Sequence, residues 1–161
     1  MVEASPTWRS FAMRDFRKLI VWRRAHVLAV DAHRTLQSVR APGSASTRIQ
    51  LQKALASIPA NISEGCGKRS DAEFTRYLDI ALGSATESEN HLIFVHDLGW
   101  IDCATFAVLD AELTEVRRML FSLEAVVRRR AEGGSADQAP PTNGASEDED
   151  PDSDIQEGSE G

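Results

Sequence analysis

The side chains best able to do chemistry in this chain are four histidines, two cysteines and a set of carboxylates, so their spacing is the first test. A di-metal carboxylate centre in a helical bundle needs Glu-x-x-His on two helices and a Glu on each of the other two. His91 has Ser88 three residues before it, and His96 has Ile93. His26 and His33 share a helix face, but two imidazoles do not complete a coordination sphere. Cys66 and Cys103 are too far apart in sequence for a zinc knuckle and too few for a disulfide framework. No serine or cysteine carries the local signature of an activated nucleophile, and the serines fit caps and packing positions. The expectation is therefore no catalytic residue, no metal site, no cofactor and no enzyme.

Cations offer a different chemistry. Gly65-Cys66-Gly67-Lys68-Arg69-Ser70 has the look of a phosphate loop, but its spacing is not that of a Walker A loop and no strand precedes it. A helix–helix turn explains it as well. Lys68 and Arg69 nevertheless stand just before a helix start, where free N–H groups and the helix dipole attract phosphate. A second group, Arg9, Arg14, Arg17, Lys18, Arg23 and Arg24, crowds the front of the chain. Such clusters are commonly solvated faces; the sharper reading is a nucleic-acid footprint. Arg14, Arg17, Lys18, Arg23, Arg24, Lys68 and Arg69 are the candidate nucleic-acid-binding residues. Asn61, Glu64, Ser84 and Glu87 are candidates for a structural polar network. Glu87 is expected to accept hydrogen bonds from Asn61 or from an arginine, because a buried carboxylate needs partners.

Four helices must position these groups. Leu19, Trp22, Ala25, Ala29, Ala32, Leu36 and Val39 step by threes and fours, which predicts a helix from about 19 to 39. Ala41-Pro42-Gly43-Ser44 ends it. A second helix opens near Ser46 or Thr47 and carries Leu51, Ala54, Leu55, Ile58 and Ile62. Pro59 lies inside this pattern and predicts a kink, and Gly65 is a suitable terminator. Ser70-Asp71-Ala72-Glu73 is a capping box for the third helix. One seam of that helix is Phe74, Leu78, Ala81, Ala85, Leu92 and Val95. Another is Tyr77, Ile80, Phe94 and Leu98, which predicts burial of a wide arc against more than one neighbour. Gly99 stops it. The fourth helix starts at Asp102 and keeps a heptad through Phe106, Leu109, Leu113, Val116, Leu120, Leu123 and Val127. Arg128, Arg129 and Arg130 close it, where cations complement the helix dipole. No strand alternation and no internal repeat appears.

Composition sets the frame. The chain of 161 residues has a formal net charge of −7 and 42% hydrophobic residues, enough for one core. The charge is unevenly spread. Residues 133–161 hold nine carboxylates and no Lys or Arg, and residues 1–132 are left at +2. Ile155 is the one large apolar residue of this tail, too little to offset chain entropy, so disorder is expected there. The division predicted is a flexible arm at 1–14, an antiparallel up-down-up-down all-α four-helix bundle at 15–131, and a disordered acidic tail at 132–161. No apolar run is long enough for a membrane span or a secretory signal, so a cytoplasmic, non-membrane protein is expected.

Several blocks resemble a known family. Asp15-Phe16-Arg17-Lys18-Leu19 leads to Val21-Trp22 and Ala25-His26. Ser57-Ile58-Pro59-Ala60-Asn61-Ile62 runs into Glu64-Gly65, and Ser70, Glu73-Phe74, Tyr77-Leu78, Ile80-Ala81, Gly83-Ser84 and Glu87 follow. Together, over about residues 13–125, they resemble the four-helix-bundle proteins encoded in 23S ribosomal RNA intervening sequences. The resemblance implies a homopentamer. It also implies a fold similar to the accessory proteins of diversity-generating retroelements, whose basic bundle engages nucleic acid and a reverse transcriptase. The functional expectation is a non-enzymatic oligomer without a cofactor that binds RNA or DNA, with a reverse transcriptase or other nucleic-acid enzyme as a further partner. The alternative is a protein-interaction scaffold without nucleic acid.

Overall fold

Capping chemistry sets the helix boundaries of the computed structural model, which describes residues 14–136. The Asp15 carboxylate accepts from the Arg17 amide and starts a single 3-10 turn, Phe16–Lys18. Helix α1, Ile20–Gln37, follows from Leu19 in extended conformation. Helix α2 is Ser44–Cys66, α3 is Asp71–Asp97 and α4 is Cys103–Ala136. There is no strand among the described residues. Residues 1–13 and 137–161, with the expected flexible arm and most of the expected disordered tail, lie outside them.

Three of these boundaries follow the sequence pattern. The Ser70 hydroxyl accepts from the Glu73 amide at 3.2 Å and donates to the Glu73 carboxylate at 3.1 Å, closing the capping box at α3. Gly99, at φ 68°, ends α3 in a Schellman arrangement. Its amide donates to the His96 carbonyl, and the Trp100 amide donates to that of Val95. At α4 the Asp102 carboxylate accepts from the Thr105 amide at 2.7 Å, which holds it below the usual carboxylate range. Removing the α3 cap with Ser70→Ala is expected to cost about 1 kcal/mol. A lower urea midpoint at unchanged m-value would show it, and Ser70→Asp, which keeps an acceptor, should hold stability.

Three other boundaries differ from the sequence expectation. Helix α2 begins at Ser44, ahead of Ser46 and Thr47, because Gly43 adopts φ 77° and turns the chain early. Arg48, one turn on, donates to the Leu36 carbonyl at 3.1 Å and satisfies the end of α1. Gly65 does not terminate α2. It is buried inside the last turn, and its missing Cβ admits the Phe74 ring and the Tyr77 Cβ. Helix α4 runs through Gly133 and Gly134, past the boundary expected at 131. Each glycine costs about 1 kcal/mol relative to alanine, little against propagation from a long preformed helix. Helix α2 continues without a break through Pro59.

The helices form an antiparallel ring, α1 against α2, α2 against α3, α3 against α4 and α4 back against α1. Cross-helix pairs run in opposite sequence directions. Ser57 meets Ser84, and Gly65 meets Phe74. His96 stacks on Phe106, Arg117 pairs with Glu89, and Arg128 reaches Asp79. The core is built from Leu36, Leu51, Ile58, Ile62, Phe74, Leu78, Val116 and Leu120, all at most 2% exposed. The α2 stripe and the first α3 seam are buried as their spacing requires. The second α3 seam is not. Ile80, Phe94 and Leu98 are 43%, 50% and 46% exposed, since α2 and α4 already cover the opposite arc.

Candidate nucleic-acid interface

An up-down-up-down ring places the start of α1, the end of α2, the start of α3 and the end of α4 at one end of the bundle. Every basic cluster read from the sequence falls there or within the first two turns of α1. Arg14 pairs with Asp71 and lies over the Phe74 ring, which ties the segment before α1 to the start of α3. Arg128 of α4 reaches Asp79 of α3 at 3.5 Å. An open cleft of about 570 Å³ lies between α3 and α4, lined by Thr75, Arg76, Asp79, Arg128 and Glu132 among others.

The seven candidate cations divide by what they touch. Arg14 is engaged as described. Arg24 turns sideways to α4, donating to both Glu112 oxygens at 2.9 and 3.0 Å and lying 3.6 Å from Glu115. Lys68 sits 3.3 Å from Glu64 and over the Tyr77 ring. The Tyr77 hydroxyl donates to Glu64 at 2.8 Å, and together with Lys68 it holds that carboxyl below its ordinary value. Arg17 is 3.9 Å from Asp15, a loose surface pair. Lys18, Arg23 and Arg69 are exposed and have no carboxylate partner among the described residues. Arg23 donates to the Lys18 carbonyl at 3.4 Å.

Three further cations belong to this end, and the sequence reading does not single them out as candidates. Arg76 is exposed on the second turn of α3, and Arg129 and Arg130 are exposed at the end of α4. None has a carboxylate partner among the described residues. Arg128 is the exception in its run, because Glu124, only 5% exposed, accepts from its Nε. The signal in the sequence is the triple arginine itself, which the helix dipole alone also explains. Six cations without a carboxylate partner among the described residues, Lys18, Arg23, Arg69, Arg76, Arg129 and Arg130, thus stand exposed in or beside the first turns of α1, the first turns of α3 and the last turns of α4.

The expected polar network is only partly assembled. Asn61 donates to the Ser57 carbonyl at 2.8 Å and to the Ser57 hydroxyl at 2.9 Å. Ser84 donates to that same hydroxyl at 3.0 Å. Ser57, absent from the expected network, is therefore the hub between α2 and α3. Glu87 does not take part. It is exposed and lies 3.6 Å from His91, one turn along α3, so neither Asn61 nor an arginine serves it. Its place in the seam pattern implies burial, but that seam faces outward. Glu64 bonds to Tyr77 and Lys68 and stands apart from the network.

The remaining groups do not converge. Among the described residues, no cluster of three or more His, Cys, Asp or Glu side chains is placed to hold a metal ion. Burial pushes the Cys66 thiol above its ordinary pKa, which disfavours the reactive thiolate. No described helix is long and apolar enough to cross a membrane.

Comparison with known proteins bears on the fold and the family. No curated protein matches the chain. Among solved structures, a protein of unknown function from the S23 ribosomal protein family of Bacteroides thetaiotaomicron is similar, with a TM-score of 0.60 and 24% identity. The match covers 66% of this chain and 96% of that one, and at that identity it speaks for the bundle fold. The family model described as 23S rRNA-intervening sequence protein matches residues 17–122, which include all of α1, α2 and α3 and most of α4. With the bundle, the matched span and the motif blocks in agreement, the chain belongs to the 23S rRNA-intervening sequence protein family.

Proposed function

We propose that this protein is a non-enzymatic, oligomeric accessory factor that binds RNA or DNA through the basic end of its bundle. The observation that carries this reading is the exposure of Arg69 and Arg76 at the start of α3 beside Arg129 and Arg130 in the last turns of α4, with Lys18 and Arg23 at the start of α1, all without carboxylate partners among the described residues. Phosphates are the natural ligand of such a surface, because each one neutralised releases condensed counterions. A cytoplasmic role beside a nucleic-acid enzyme such as a reverse transcriptase is the setting that the family resemblance supports.

Binding of the full chain to a structured RNA and to duplex DNA across a salt series tests the reading. The logarithm of the binding constant should fall linearly with the logarithm of salt, by about 0.9 for each duplex phosphate engaged. No binding at low salt, or binding that salt does not weaken, would overturn it.

Self-association is the second part of the proposal. Ile80, Phe94 and Leu98 lie in one stripe of α3 that the chain's own helices leave uncovered. A stripe of this kind on a surface helix marks a contact with another molecule. A homopentamer would repeat the basic end five times, so that weak sites add through avidity. Light scattering of the wild type should give several times 17.7 kDa. The Ile80→Asp, Phe94→Asp double variant should scatter as a monomer with unchanged helical circular dichroism. The same stripe also suits a scaffold that binds another protein, and a partner that stays bound through nuclease treatment would favour that reading.

A further inference from the structure

The acidic tail and the basic end are neighbours by construction. Helix α4 ends at Ala136, on the end of the bundle where Arg69, Arg76, Arg129 and Arg130 are exposed. Six carboxylates follow in residues 147–154: Glu147, Asp148, Glu149, Asp150, Asp152 and Asp154. No cation accompanies them anywhere beyond Arg130. We propose that residues 147–154 dock on the basic end of their own bundle and compete there with nucleic acid. The regulatory half of this inference rests on the nucleic-acid reading above; the docking half does not.

Length and charge both fit. Ten residues, 137–146, separate the helix end from the acidic run. Ten residues reach at most about 34 Å, and two packed helices are about 20 Å across. The run therefore reaches any cation on that end. Tethering at this distance supplies a local concentration of about a millimolar, so weak ion pairing suffices for occupancy. Six carboxylates also face a comparable number of cations, Arg69, Arg76, Arg129 and Arg130 at that end and Lys18 and Arg23 at the start of α1, none with a carboxylate partner among the described residues. The cleft beside the last turns of α4, with Arg76 and Arg128 on its walls, lies next to where the tail departs. The tail is thus a built-in polyanion that a nucleic acid must displace, and the full chain binds nucleic acid less tightly than its cations alone would allow.

The lysines give a direct test. The chain has three, Lys18 and Lys68 at the basic end and Lys53 toward the middle of α2. Zero-length carbodiimide cross-linking of the full chain, in the absence of nucleic acid, should join tail carboxylates to Lys18 or Lys68 and leave Lys53 free. The products should vanish at high salt and in the full-length variant E147Q/D148N/E149Q/D150N/D152N/D154N. In an equal mixture of light and heavy nitrogen-labelled chains, the links should stay within one label. Labels that mix place the tail on a second copy and overturn the proposal, as does equal linking of Lys53 or no link at all. The neutralised variant should also bind a structured RNA about tenfold more tightly at low salt, a gain that disappears at high salt. Equal RNA affinity in the two chains overturns the competition even if the cross-link forms. If neither chain binds RNA while the cross-link forms, the nucleic-acid reading and the competition both fall and the docking alone stands.

Discussion

Replacing Arg69, Arg76, Arg129 and Arg130 together with glutamine should lower affinity for nucleic acid by about a thousandfold near 0.1 M salt. The magnitude follows from counterion release. Each duplex phosphate neutralised adds about 0.9 to the salt slope, which near 0.1 M corresponds to a little under tenfold in binding constant. Without these four cations the effect compounds to about three decades, and the slope itself should flatten by about 3 to 4. All four side chains are exposed and lack a carboxylate partner among the described residues, so the fold should not change. Arg14 and Arg24 make the contrasting pair. Both read as equal candidates in the sequence, yet each is held by carboxylates, Arg14 by Asp71 and Arg24 by Glu112 and Glu115. Arg14→Gln with Arg24→Gln should lower thermal stability and leave the salt slope nearly untouched. Fluorescence anisotropy across a salt series, on both variants and the wild type, decides the matter. A quadruple variant that binds with wild-type affinity and slope would remove the basic end as the nucleic-acid surface.

That contrast also explains how much of the site the sequence can carry. The helices themselves are legible because burial imposes a period. The α2 stripe, the first α3 seam and the α4 heptad all lie in the core or against it. The capping box at Ser70 and the stop at Gly99 are legible because both depend on local backbone chemistry. The composition of the basic end is legible only in pieces. Lys68 to Arg76 and Arg128 to Arg130 are distant in sequence, and the antiparallel packing of α3 and α4 is what brings them to one end. Which of them is free depends on rotamers and on the facing helix. Arg24 is neutralised by Glu112 and Glu115 of α4, far along the chain, and no local pattern announces that.

The second α3 seam departs from expectation for a related reason. A helical period says that a face is apolar, and it does not say what covers that face. The period of Tyr77, Ile80, Phe94 and Leu98 predicts burial within the chain, while Ile80, Phe94 and Leu98 stand exposed. Glu87 shares the error, because its expected burial rests on a seam that points outward. Ser57 escapes notice because a small hydroxyl residue in a helix interior more often bonds its own backbone. Here its hydroxyl accepts from both Asn61 and Ser84.

Gly65→Ala and Gly83→Ala are the same substitution in two helices of this bundle, and they should move stability in opposite directions. A Cβ on Gly65 would lie 2.7 Å from Phe74 Cδ2 and 2.8 Å from Tyr77 Cβ. The Tyr77 atom is fixed by its backbone, and the Phe74 ring is 2% exposed with the core around it, so neither yields cheaply. Overpacking of this kind costs about 1–3 kcal/mol, against a gain of about 0.5–1 kcal/mol for alanine over glycine in a helix. The net is destabilisation, with α2 and α3 forced apart next to Lys68 and Arg69. At Gly83 a Cβ meets nothing within 4 Å, so only the helix gain remains. Gly83→Ala should therefore raise the denaturant midpoint by the equivalent of about 0.5–1 kcal/mol. Gly83 also lies close to Ile80 and Ser84 along α3, which adds a second readout. If another copy packs closely against the outward stripe, Gly83→Ala should weaken assembly even as it stabilises the helix. Chemical denaturation measured together with light scattering separates the two effects. A Gly65→Ala protein as stable as the wild type would mean that α2 and α3 do not approach at Gly65 as closely as the structure places them.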